Sequence, residues 1–153
     1  MHYVIDLFTN IFIIVALSSW FEAQVLKFII HSVVNRKIDF SRLVGDGGMP
    51  SGHSATVASL AASIGIMNGF GSSLFAIAAI FAIIVCHDAA GVRLETGKQS
   101  TVLNEMRNAL NILTSNKLPD VKLKEFVGHT HSQVVAGVIL GIINAIFICV
   151  CFT

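Results

Sequence analysis

Four apolar stretches of near-membrane length constrain this chain more than any single residue does. The first runs from about Ile11 to Ile30, broken only by Glu22, Gln24 and Lys27 among strongly polar residues. The second begins at His53 and ends near Asn68, where Gly69-Phe70-Gly71-Ser72 makes a tight turn. The third covers Leu74 to Cys86 and continues past Asp88, and the last runs from about Val134 to Phe152. In hydrocarbon every backbone polar group must be satisfied within its own segment, so such stretches become helices. The chain is 54% hydrophobic and only 12% charged, against about 25% charged in ordinary soluble domains. These features predict an all-α, polytopic membrane helical bundle of about four transmembrane helices, forming a single domain over residues 1–153. The two middle stretches are short, which predicts tilt, extension into the interface, or burial inside the bundle. The N-terminus lacks the basic region and cleavage pattern of a signal peptide.

Charge placement orients the bundle. With four spans, the loops Ser32–Gly52 and Ala89–Thr130 share one side, and all ten Lys and Arg residues lie on or at the edge of it. The positive-inside rule makes that side cytoplasmic, which predicts a multi-pass protein of the cell membrane. A net charge of +1 gives no reason to expect nucleic acid. Cys86, Cys149 and Cys151 all sit in apolar stretches and read as small apolar residues. Ala55, Ser59 and Ser63, and likewise Gly137 and Gly141, recur every four residues, a spacing that lets helices approach closely in lipid. Self-association into a homo-oligomer stays open. Between the third and fourth spans, Leu103, Met106, Leu110 and Leu113 mark one face of an amphipathic helix, with Asn104, Arg107, Asn108 and Asn111 largely opposite. Such a helix lies on the membrane or pairs with a partner.

The chemistry concentrates at the cytoplasmic ends of the spans. Gly45-Asp46-Gly47-Gly48-Met49-Pro50-Ser51-Gly52-His53-Ser54 is a glycine-rich loop running straight into a helix. Ser51 is a good N-cap, and the first amides of the helix, with its positive dipole end, welcome an anion. His53 adds a proton donor or acceptor there. A second histidine stands in Gly128-His129-Thr130-His131-Ser132-Gln133, immediately before the last span. A positive helix end favours the neutral imidazole that a nucleophile must be. Gln24, Lys27 and His31 step by three and four and so share a face of the first helix. Asp88 and Arg93 are spaced to pair at the end of the third span, because ionisable groups at membrane depth are usually paired. Glu22 is the deepest charge, with a neutral, hydrogen-bonded carboxyl as its default state. Two histidines, one attacking phosphorus and one protonating the leaving oxygen, suffice for phosphoryl transfer with no metal or other cofactor.

Met49-Pro50-Ser51-Gly52-His53-Ser54 resembles the second motif of the type 2 phosphatidic acid phosphatase and vanadium haloperoxidase superfamily. Lys27 is placed like the lysine that opens the first motif, and His129 through Gly137 resembles the end of the third. The whole chain, with its Asp88-to-Gln99 segment and Leu103-Asn104, is closer to a divergent branch of that superfamily. The resemblance implies His129 as nucleophile and His53 as general acid, on a phosphorylated lipid surrounded by membrane lipids. It implies a phosphate held by Lys27, Ser51, Gly52 and Arg93, with Gln24, His31, Asp88 and Gln133 in support.

This chain departs from the motifs at several places. Leu123, flanked by Lys122 and Lys124, stands where the third motif has an arginine. Gln133 replaces its aspartate, His131 its proline, and Arg36 matches the first motif's arginine only approximately. These departures keep a second reading open, a non-catalytic protein that binds or transports a lipid phosphate. A metal site drawn from His87, Asp88, His129 and His131 ranks last, since the spacing matches no helical zinc motif.

Overall fold

The computed structural model describes residues 2–36, 38, 48–113, 123 and 128–151. All regular structure among them is helical: α1 (His2–Phe8), α2 (Ile11–Asn35), α3 (Gly52–Asn68), α4 (Ser73–Ala90), α5 (Val92–Leu113) and α6 (His131–Cys151). Three of the helices, α2, α3 and α4, begin where the sequence supplies a cap. Asn10 accepts from the Phe12 and Ile13 amides, Ser51 from Ser54 and Ser72 from Phe75, so early N–H groups without intrahelical partners are satisfied. Arg36 ends α2 in the left-handed conformation, with φ 50° and ψ 32°.

Three helical runs are long and apolar enough to cross a membrane: α2, the α4–α5 run and α6. With 17 residues, α3 spans only about 26 Å, less than the roughly 30 Å hydrocarbon core. It compensates by position, packing against α2, α4 and α6 at the centre of the bundle. The protein is therefore a polytopic helical membrane bundle with the 17-residue α3 innermost.

Close packing around α3 follows from small side chains. Its buried residues are Gly52, Ser54, Ala55, Val57, Ala58, Ser59, Ala61, Ser63 and Gly65. Against this face lie Gly137 and Gly141 of α6, where an added Cβ would stand 2.4 Å from the Ser51 carbonyl oxygen and 2.3 Å from that of Ala55. Hydrocarbon gives no solvophobic drive between helices, so such backbone-to-backbone contact and interhelical hydrogen bonds hold the bundle. On the α2 side, Ser19 Oγ donates to the Ala55 carbonyl at 3.2 Å.

Glu22 finds its partner on α6. Asn144 Nδ2 donates to Glu22 Oε1 at 2.6 Å, and Ser18 Oγ donates to Asn144 Oδ1 at 3.2 Å. The deepest carboxyl thus belongs to a polar tie between α2 and α6.

The amphipathic segment is longer than its leucine spacing alone marks, and its polar side is the inner one. Gly97, Ser100 and Asn104 are the buried residues of α5, while Leu103, Met106, Leu110 and Leu113 are exposed. Only Gly91, with φ −105° and ψ −92°, separates α5 from α4.

Gly141→Val places a branched side chain against the α3 backbone. It is expected to destabilise the bundle by about 1–3 kcal/mol or more, read as a lower thermal midpoint by circular dichroism in detergent. Gly71→Ala, where an added Cβ meets nothing within 4 Å, should leave the midpoint unchanged.

Candidate functional site

The α3–α6 contact sets two helix beginnings side by side. The Ser51 N–H donates to the Gln133 carbonyl at 3.0 Å, joining the residue before α3 to the first turn of α6. His53 is the second residue of α3, and His129 lies two residues before α6. Their ring centroids are 6.4 Å apart with planes tilted by 58°. One tetrahedral group can therefore touch both rings. His129 is 2% exposed, whereas His53 is exposed, so the pair has a buried and an accessible member.

Gln133 fixes the buried ring. Its Oε1 accepts the Thr130 N–H at 3.1 Å and lies 3.2 Å from His129 Nδ1. A backbone N–H can only donate, so the atom it meets is the amide oxygen and not the amide nitrogen. The same oxygen then requires a proton on Nδ1, which leaves the ring lone pair on Nε2. An amide therefore orients this histidine where the resembling motif has a carboxylate.

Gly52 opens α3 beneath Trp20 and Gln24: an added Cβ would lie 3.5 Å from Trp20 Cδ1 and 3.9 Å from Gln24 Nε2. Gln24 is 8% exposed, and its buried Oε1 meets no hydrogen-bond partner. A buried polar atom left this way asks for a ligand or water. Lys27 is 5% exposed and runs beside Gly48, whose positive φ of 104° carries the chain past the lysine stem, 3.3 Å from its Cγ to an added Cβ. His31, next on the stripe, is half-buried, and its Nδ1 is a second buried polar atom without a hydrogen bond.

Ser51 is engaged within the protein. Its hydroxyl is fully buried and accepts the Ser54 N–H at 3.3 Å and the Ser54 hydroxyl at 3.0 Å. Its N–H is given to the Gln133 carbonyl. The N–H groups of Gly52 and His53 precede the first intrahelical bond, which Ala55 makes to the Ser51 carbonyl.

Arg93 does pair with Asp88, Nε to Oδ2 at 2.9 Å, with the two side chains 46% and 45% exposed. The pair sits at the α4–α5 junction, against which the chain leading to His129 packs: an added Cβ at Gly128 would stand 2.5 Å from the Arg93 carbonyl carbon. Gly45, Asp46, Gly47, Lys122 and Lys124 lie outside the described residues. His87, Asp88, His129 and His131 do not gather: among the described residues no three His, Cys, Asp or Glu side chains cluster as metal ligands would.

Two contributors escape inspection of the sequence. Trp20 roofs Gly52 from the Gln24 stripe, at i−4, a spacing that could have flagged it. Asn104 pairs with the backbone of Leu123, Nδ2 to the carbonyl at 2.9 Å and Oδ1 from the N–H at 3.1 Å. Its apparent place on a solvated polar face hid that role.

Comparison with known proteins agrees with this architecture. The divergent PAP2 family matches residues 8–144, a span that takes in both histidine loops and the Lys27 stripe. The chain is similar to the uncharacterized membrane protein YuiD of Bacillus subtilis (strain 168), 39% identical over 147 residues that cover 90% of this chain and 93% of that protein. No solved structure matches it. By the extent of these matches, the chain belongs to the divergent PAP2 family.

Proposed function

We propose that the chain is a membrane phosphatase acting on a lipid phosphate or diphosphate at the cytoplasmic leaflet, through metal-free histidine phosphoryl transfer. The observation that carries this reading is the 6.4 Å approach of His53 and His129, with the His129 tautomer locked by Gln133. His129 Nε2 attacks phosphorus, and the bond from phosphorus to the leaving oxygen breaks as His53 gives that oxygen its proton. Water then attacks the phosphohistidine, His53 takes the water's proton, and the phosphorus–nitrogen bond breaks to release phosphate. Catalysis of this kind is mostly placement and charge stabilisation.

Lys27 and the first amides of α3 supply the charge stabilisation. A lysine stem packed against Gly48 is held for one task, which a snorkelling lysine would not be. Gln24 Oε1, a buried acceptor without a partner, can take a proton from water or from a protonated phosphate oxygen, and the positive groups of the site are Lys27 and the helix N–H groups. Arg93, tethered by Asp88, is the remaining phosphate-binding cation. The location of the site at helix ends suits a substrate whose phosphate sits at head-group depth while its chains stay in hydrocarbon.

One observation favours the non-catalytic alternative. Leu123 brings no charge to the third motif, and its backbone is occupied by Asn104. The two readings separate on turnover. Protein purified in detergent with a chelator present is expected to release inorganic phosphate from a panel of lipid phosphates. His53→Ala and His129→Ala should each lower that rate by roughly 10²-fold or more. Release that survives both substitutions contradicts the mechanism, and saturable binding with no release over hours establishes the alternative.

Gln133 gives a second test. Gln133→Leu removes the atom that sets the tautomer and should cost roughly 10²-fold in kcat. Gln133→Glu restores a carboxylate beside Nδ1 and should equal or exceed the natural chain in the same assay.

A further inference from the structure

The main chain that delivers His129 is fastened to the α4–α5 arm at successive points. Farthest upstream, both backbone groups of Leu123 are taken by the Asn104 side chain, at 2.9 Å and 3.1 Å. Such a two-point pairing reproduces one rung of a sheet ladder. Next, Gly128, at φ +87°, lies directly on the first turn of α5, where an added Cβ would stand 2.3 Å from the Leu94 nitrogen. Finally, the His129 N–H donates to the Ala89 carbonyl at 2.9 Å, one of the last carbonyls of α4, which has no intrahelical donor. His53 rides on α3, and His129 is therefore referred to α3 partly through this arm.

Asn104 is 5% exposed and lies on the inner side of α5 with Gly97 and Ser100. Its helix leaves leucines exposed and buries an amide. That arrangement is costly unless the amide has a use, because a buried amide must have every group satisfied. Leu123 stands six residues before His129, and its side chain is exposed. What the arm holds at this place is the backbone, not the leucine.

We propose that Asn104 is a positioning residue for His129, holding the Leu123 backbone six residues ahead of it so that the ring keeps its distance and in-line approach to His53. The proposal rests on the reading of His129 as nucleophile. Misplacement of a reacting group by an ångström costs roughly 10²-fold in rate, with little effect on binding of the remainder of the substrate. The loss belongs in kcat and not in KM.

The test uses the full chain in detergent, as the natural protein, Asn104→Ala and Asn104→Asp, with three readouts. These are amide hydrogen exchange over residues 123–129, kcat and KM on a lipid phosphate, and the thermal midpoint. Asn104→Ala is expected to speed exchange at Leu123 and His129 and to lower kcat by roughly 10²-fold, at unchanged KM and midpoint. Asn104→Asp keeps the acceptor for the Leu123 N–H and should recover part of both. Unchanged exchange in Asn104→Ala overturns the clamp. Faster exchange with unchanged kcat, or a kcat loss that only tracks a fallen midpoint in both variants, overturns the positioning role. A natural protein that releases no phosphate sinks the phosphatase reading alone, and exchange then decides whether Asn104 holds the His129 segment.

Discussion

The placing of the two histidine loops depends on how closely α3 and α6 approach. Gly137 and Gly141 bring the α6 backbone against the Ser51 and Ala55 carbonyls, and the Ser51 N–H closes the junction on the Gln133 carbonyl. A side chain at either glycine would hold the helices apart. The two histidines at their beginnings would then no longer share one small volume. The same junction engages Ser51 within the protein. A residue that caps α3 with its hydroxyl and joins α6 with its N–H fixes both helix mouths at once.

Polar groups at membrane depth are costly, and two sets of them on α2 are placed against other helices or loops. Glu22, Asn144 and Ser18 tie α2 to α6 within the span. Gln24, Lys27 and His31 share one face of α2, with Lys27 against Gly48 and Gln24 near Gly52. The tie sets α2 relative to α6, and Ser19 sets it relative to α3. The lysine stripe is thereby held opposite the helix mouths. A stripe of mixed polarity on a membrane helix is tolerable when it faces a protein wall such as Gly48 and Gly52.

Much of this was legible in the sequence because it is local. The Ser51 cap, the glycine stripe on α6, the common face of Gln24, Lys27 and His31, and the pairing of Asp88 with Arg93 all follow from helical spacing over a few residues. The apolar stretches were readable for the same reason, although the central place of α3 was only one of the options its shortness allowed. What stayed hidden was long-range. Asn144 and Glu22 are 122 residues apart, and Asn104 serves a backbone 19 residues away, so no periodicity connects them. The leucine spacing of α5 located its apolar face, but its burial was the reverse of a soluble amphipathic helix. Its inner side serves the backbone of the His129 segment.

The substitution of Gln133 for a carboxylate changes the chemistry less than its charge suggests. An amide beside a histidine is harmful when it can rotate and present its nitrogen, selecting the wrong tautomer. Here the Thr130 N–H opposes that rotation, so in the proposed reaction the orientation is kept and only the negative charge that would face a developing imidazolium is missing. The central claim is that His129 Nε2 attacks phosphorus, and its product is a covalent one. The most direct measurement is to mix the protein with a lipid carrying a ³²P-labelled phosphate, quench in alkali, which preserves phosphohistidine, and map the label by mass spectrometry. The account predicts label on His129, absent in His129→Ala and accumulating in any variant that slows hydrolysis of the intermediate. Phosphate release with no label on His129 at any time would contradict it.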